Sequence, residues 1–226
     1  MNPQPDHIAI LKRCGFVFFV VGLIDIGMFV FCAIHQIPFS SSLNVVGIIC
    51  GIALMRGNLR VATFVRWLSL FVAAISTAWV VIIPILLPLD LLRLGITFYP
   101  LPTMVCLTYI LAAGLTFAWM ADRLGSAPVE LARAELGRRP INARIPVILG
   151  AVLPMIASAL IIGLQRSDVG QRAITEAREA QGVEYRYWLC RIQCSWDAHE
   201  ARYYGTVLAW NDHEVVKVPV WWNERR

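Results

Sequence analysis

The chain has 226 residues, of which 58% are hydrophobic and 15% charged, with a mean hydropathy of +0.63 and a formal net charge of +5. A soluble domain carries about 25% charged residues, so lipid must be the solvent for part of this chain. The basic balance, with a pI near 9.1, does not point to nucleic acid, because the excess positive charge lies in short connections between apolar runs.

Residues 1–14 are a polar tail. The first apolar run, "GFVFFVVGLIDIGMFVFCAI", covers residues 15–34 and is interrupted only by Asp25. An Asp at a helix centre opposes insertion by about 2.5 to 3.5 kcal/mol, while thirteen Leu, Ile, Val and Phe side chains favour it by roughly 4 to 8 kcal/mol. The run therefore inserts with Asp25 in place. It is longer than the apolar part of a secretion signal, and no small-residue cleavage pattern follows, so it reads as a retained span.

The second run, "SSLNVVGIICGIALM" at residues 41–55, is short. The third covers residues 67–88, the fourth 98–120 and the fifth 145–164. Pro84 and Pro154 fall inside runs, which bilayers tolerate because neighbouring helices and Ser/Thr side chains satisfy the freed backbone groups. The expectation is a five-helix α-helical membrane bundle over residues 15–164, with an inner loop at 121–144. "GLIDIGMFVFCAIHQIPFSSSLNVVGIICGIALMRGNLRVATFVRWLSLF" resembles the N-terminal part of small multi-pass bacterial inner-membrane proteins. The resemblance covers two to three spans. It implies a bacterial inner membrane and carries no activity with it.

Orientation follows from Lys and Arg in the short connections. Lys12, Arg13, Arg56, Arg60, Arg66, Arg123, Arg133, Arg138, Arg139 and Arg144 fall on one side of five spans, and only Arg93 on the other. The first side is expected in the cytoplasm, with the N-terminus inside and the C-terminal tail outside. Trp67 and Trp119 are expected at the inner interface and Tyr99 at the outer one.

Gly15, Phe18, Gly22, Asp25, Phe29 and Cys32 share one helix face. Its small residues allow close helix approach, and so do Gly47 and Gly51 of the second run. Asp25 is therefore expected against another span. No Lys, Arg or His sits at similar depth. The groups that could meet it are Ser69, Ser76, Thr77, Thr108, Tyr109 and Ser158. Three roles are open: a neutral carboxyl bonding helices together, a proton or cation relay, or contact with another membrane protein.

The inner stretch "GSAPVELARAELGRRP" is expected to be a short helix, capped at Ser126 with Pro128 in its first turn and ended by Gly137 and Pro140. It suits either a headgroup-level helix or a solvated connector.

Residues 165–182 are polar helix formers, read as a helical linker or an extension of the fifth span. Residues 183–226 alternate and are rich in Tyr, Val and Trp, predicting a three-stranded antiparallel β-meander. Pro219 predicts that the last strand is an edge. Alternation puts Trp188, Cys190, Ile192, Cys194 and Trp196 on one face. So small a sheet needs a covering helix, a disulfide, a metal, a partner or a membrane surface. Trp188, Trp196, Trp210, Trp221 and Trp222 form a candidate docking surface or simply its core.

Along one strand Cys190 and Cys194 would stand roughly 13 Å apart, beyond the roughly 7 Å of a disulfide unless a bulge intervenes. That spacing also disfavours a metal site with His199 and His213. Cys14, Cys32, Cys50 and Cys106 read as small apolar fillers. No hydrolase, phosphate-loop or dinucleotide fingerprint is present, so neither catalysis nor a cofactor is expected. Two functions remain: an accessory protein presenting the outer meander to a periplasmic protein partner, or a small proton- or ion-coupled transporter using Asp25.

Overall fold

The computed structural model describes residues 6–34, 44–98, 100–137, 142–196 and 200–225. The helices are α1 (Asp6–Ile34), α2 (Asn44–Met55), α3 (Leu59–Leu86), α4 (Leu89–Phe98), α5 (Pro100–Leu124), α6 (Ala127–Glu135), α7 (Arg144–Arg166) and α8 (Asp168–Gln181). The strands are β1 (Arg186–Trp196), β2 (Glu200–Trp210) and β3 (Val215–Arg225). Tyr99, Arg138, Arg139, Pro140 and His199, and the first three residues of the second apolar run, lie outside the described residues.

Among the described residues, three helices are long and apolar enough to cross a membrane: Asp6–Gly27 within α1, Leu59–Leu86 and Arg144–Arg166. Helix α5, 25 residues long, covers the fourth run. Helix α2 has 12 residues, about 18 Å of helix against a hydrocarbon layer of about 30 Å. The tail before the first run is helical from Asp6, where a carboxylate in the first turn favours the helix start. The segment after Pro88 is not a plain connection. It forms α4, with Asp90 in its first turn.

The described chain divides into two compact units. The first comprises residues 1–78 and 109–152. Its core joins Leu11, Cys14 and Phe18 of α1, Leu54 of α2, Ala62 and Val65 of α3, and Phe117, Met120 and Leu124 of α5. Phe18 and Phe117 meet edge to face, 5.9 Å between centroids. Helices α1 and α2 pack antiparallel through glycine. A Cβ added to Gly51 would lie 2.8 Å from the Gly15 carbonyl oxygen, and one added to Gly47 would lie 3.3 Å from Gly22 Cα. Neither backbone could come so close with larger side chains in the seam.

Helix α6 docks in this unit by Val129, Ala132 and Arg133, all buried, while Leu131 and Leu136 face outward. Ser126 is its N-cap residue, but the hydroxyl donates backward to the Arg123 carbonyl at 2.7 Å rather than capping forward. Arg66 of α3 pairs with Glu130 at 2.5 Å.

The second unit comprises residues 79–108 and 153–226. Its strands form the expected antiparallel meander in the order β1-β2-β3, which makes β3, with Pro219, an edge. Two features depart from expectation. Residues 168–181 are helical, as read, but do not continue α7. They form α8, which starts afresh at Ser167, whose hydroxyl accepts from Gly170 N at 3.1 Å. Helix α8 then covers one sheet face. Ala173 and Ala177, fully buried, contact the cluster of Leu189, Val207, Val218, Val220 and Trp222. This is the covering helix a sheet of this size requires.

The second departure lies in β1. The ladder shifts between Leu189 and Arg191, leaving Cys190 as an extra residue. A one-residue bulge exchanges the two faces of a strand. Leu189 and Ile192 therefore both pack toward α8, whereas Trp188 pairs across the ladder with Leu208 on the opposite face. The single face expected for Trp188, Cys190, Ile192, Cys194 and Trp196 is thus split at the bulge. Gln165 closes this edge strand, its amide donating to Leu189 O at 2.8 Å and accepting from Leu189 N at 3.3 Å.

Candidate functional site

Two places carry the residues singled out in the sequence. The first is the buried stripe of α1. Gly15, Phe18, Gly22 and Asp25 are all buried, and Asp25 is 5% exposed. Phe29, the next residue on the stripe, is outward-facing, and the Cys32 side chain lies outside the described residues. Asp25 thus occupies the end of the stripe, one turn beyond the Gly22–Gly47 contact. Counted from Arg13, it lies about 18 Å along the helix.

Among the hydroxyls expected near that depth, the Tyr109 phenol of α5 lies within electrostatic reach of the Asp25 carboxyl. Three of the others are placed differently. Thr77 Oγ1 donates to Ala73 O at 2.8 Å, and Ser158 Oγ donates to Pro154 O at 2.7 Å, each within its own helix. The Ser76 side chain sits where a Cβ on Gly114 would reach it at 3.1 Å.

The second place is the sheet face opposite α8. Tyr204 and Trp221 are cross-strand partners there, 53% and 70% exposed. Trp188 is half-buried on the same face. Trp210 and Trp222 are buried. Trp222 belongs to the core under α8, where it stacks on Tyr203 with centroids 5.0 Å apart, and the Arg172 guanidinium lies 5.9 Å over its ring. The Trp196 side chain lies outside the described residues. Of the four tryptophans whose side chains are described, Trp221 is the one most open to a partner. Tyr204 was not singled out in the sequence, although its place opposite Trp221 follows once the β2–β3 register is known.

A cavity of about 700 Å³ also opens on this face, lined by Leu91 and Gly95 of α4 and by Leu208, Val215, Val216 and Lys217. Cys190 stands beside it. Burial raises its thiol pKa above 9.0, against the opposing effects of the Leu208 backbone and Lys217. A nucleophilic thiol needs the reverse shift. Cys190 and Cys194 are both free. Asn211 shapes the β2–β3 turn, its side-chain oxygen accepting from His213 N and Glu214 N at 2.9 Å each. That is a structural use of the polar turn. No group of three or more His, Cys, Asp or Glu that could hold a metal occurs among the described residues.

The class these features define is a largely helical protein with membrane-length apolar helices and a helix-covered C-terminal sheet. Comparison with protein-family models, with curated proteins and with solved structures finds no match.

Proposed function

We propose that this chain is a multi-pass accessory protein of a bacterial inner membrane, presenting its helix-covered sheet to a periplasmic protein partner. The observation that carries the reading is the exposed Tyr204–Trp221 pair. Aromatic side chains supply large contact area with few rotamers to order, and they are enriched at protein interfaces. In this reading α1, α2, α3, α5 and α7 are the five spans, with the N-terminus cytoplasmic and the tail periplasmic. Three facts support that orientation. The Gly15–Gly51 contact joins the start of α1 to the end of α2. Arg13 and Arg123 line one cavity. Arg66 meets Glu130 of α6. The basic residues of the first unit thus gather at one end, as cytoplasmic arginines do.

The test is in-cell crosslinking from position 221, followed by mild-detergent purification and identification of what is attached. One protein in fixed ratio, lost when Tyr204 and Trp221 are both changed to Ala, is the expected result. A chain that crosslinks to nothing, or only to itself, defeats the reading.

The alternative is a small proton- or ion-coupled transporter. It rests on the burial of Asp25 within reach of Tyr109, since intramembrane acids commonly mark ion paths. Asp25→Asn separates the two readings. Asn keeps hydrogen bonding but cannot ionise, so loss of activity with normal assembly favours transport.

A further inference from the structure

The basic end of the first unit holds a small cavity of about 120 Å³, lined by Ile10, Arg13 and Cys14 of α1 and by Trp119 and Arg123 of α5. Next to it, Val17 of α1 and Leu115, Thr116 and Trp119 of α5 line an apolar groove of about 400 Å³. Trp119 belongs to both, so the two adjoin at its side chain. The order along the helices is consistent. Val17 lies one turn deeper than Arg13 on α1, and Thr116 about two turns deeper than Arg123 on α5, as an antiparallel pair requires.

We propose that this compound site holds one anionic phospholipid, its phosphate between Arg13 and Arg123 and an acyl chain along Val17, Leu115, Thr116 and Trp119. Three observations argue for that occupant. Arg13 and Arg123 line one small cavity, and no Asp or Glu is among the described residues lining it. Guanidinium forks match phosphate oxygens in pairs. The groove adjoining the cavity is apolar and runs toward the membrane interior, which suits a lipid tail and gives a free phosphate nothing to bind. Trp119 at the junction sits where an interfacial tryptophan belongs. Another protein helix laid here would meet two uncompensated cations.

The experiment uses the full chain reconstituted with phospholipids whose acyl chains carry bromine, a quencher of nearby tryptophan fluorescence. The signal of Trp119 is the difference between the wild type and Trp119→Phe. Trp119 is expected to be quenched at roughly tenfold lower mole fraction of brominated phosphatidylglycerol than of brominated phosphatidylcholine. Arg13→Gln with Arg123→Gln should erase that preference. Arg56→Gln with Arg60→Gln, which removes the same charge outside the cavity, should keep it. Equal quenching by both lipids in the wild type overturns the proposal. So does a preference lost equally in both double variants, which reports surface charge alone. Competition by inorganic phosphate also overturns it, because the site would then take phosphate without a lipid. Should the Gln pair not fold, Arg13→Lys with Arg123→Lys replaces it. The preference should then weaken, since an ammonium cannot fork, and an unchanged preference counts against the site.

Discussion

Both units bring backbones together through small residues, but the solvent they displace differs. In the first unit, Gly51 and Gly47 of α2 lie on Gly15 and Gly22 of α1. Lipid tails are as apolar as leucine, so burying more apolar surface there gains little. The contact is held by close backbone packing. In the second unit, Ala173 and Ala177 of α8 lie on Leu189, Val207 and Trp222. There the small residues let the helix sit low enough to take larger side chains out of water, and the gain scales with apolar area. One seam is limited by shape and the other by area, so the two should fail to different substitutions.

The largest effect is expected at the glycine seam. A side chain at Gly51 would meet backbone, with Gly15 O and Phe19 N both 2.8 Å from its Cβ. Backbone cannot rotate away as a side chain can, so α1 and α2 must separate. Gly51→Leu adds apolar area and should still destabilise, by about 3 kcal/mol. Unfolding by a denaturing detergent checks this. A variant as stable as the parent would mean that area governs here too.

The complementary change is Leu189→Ala in the sheet core. It removes area without any clash and, on an edge strand, should cost about 2 kcal/mol. Fluorescence of the buried Trp222 should report the loss, while the helical signal of the first unit holds steady. Loss of both signals together would erase the distinction between the units.

The same contrast explains what the sequence reveals. Continuous apolar runs announce helices, and α3, α5 and α7 fall on the runs at 67–88, 98–120 and 145–164 with only their ends moved. The stripe through Gly22 and Asp25 is legible from its spacing, because a helical face repeats regularly. Helix α8 is legible as a helix, but its role as the cover of the sheet is not, because its buried positions are Gly170, Ala173 and Ala177. These residues carry little hydrophobic signal, although their spacing marks a face. The faces of β1 are lost for another reason. Alternation assumes an unbroken ladder, and the extra residue Cys190 shifts the phase at a place no periodicity marks. The tryptophans were half legible. Composition predicts an aromatic sheet, but only the register and α8 separate the buried Trp222 from the exposed Trp221.

Asp25 tests whether the glycine seam also relies on a polar contact. Intramembrane hydrogen bonds contribute about 0.6 kcal/mol on average and up to about 1.7. Asp25→Leu should therefore weaken the first unit by about 1 kcal/mol, and Asp25→Asn by less. Detergent-unfolding midpoints of the two variants provide the comparison. If Leu is as stable as the parent, the carboxyl is not kept for packing, and a proton-handling role gains ground.

The smallest effect concerns pH and is read in the second unit. Tyr185 donates its phenol proton to Glu214, and that bond holds the tyrosine pKa above its ordinary 10.0. Burial raises Tyr187 and Tyr203 in the same direction. A group whose pKa is higher folded than unfolded binds its proton more tightly in the native state. Its stabilisation is complete below the unfolded value and is lost as pH rises through the folded one. The sheet should therefore weaken above pH about 10, and Tyr185→Phe should make the fall shallower without removing it, because Tyr187 and Tyr203 remain. Tryptophan emission between pH 8 and 11 follows the change. A Tyr185→Phe variant whose emission falls as steeply as the parent's would mean that the bond to Glu214 does not set the dependence.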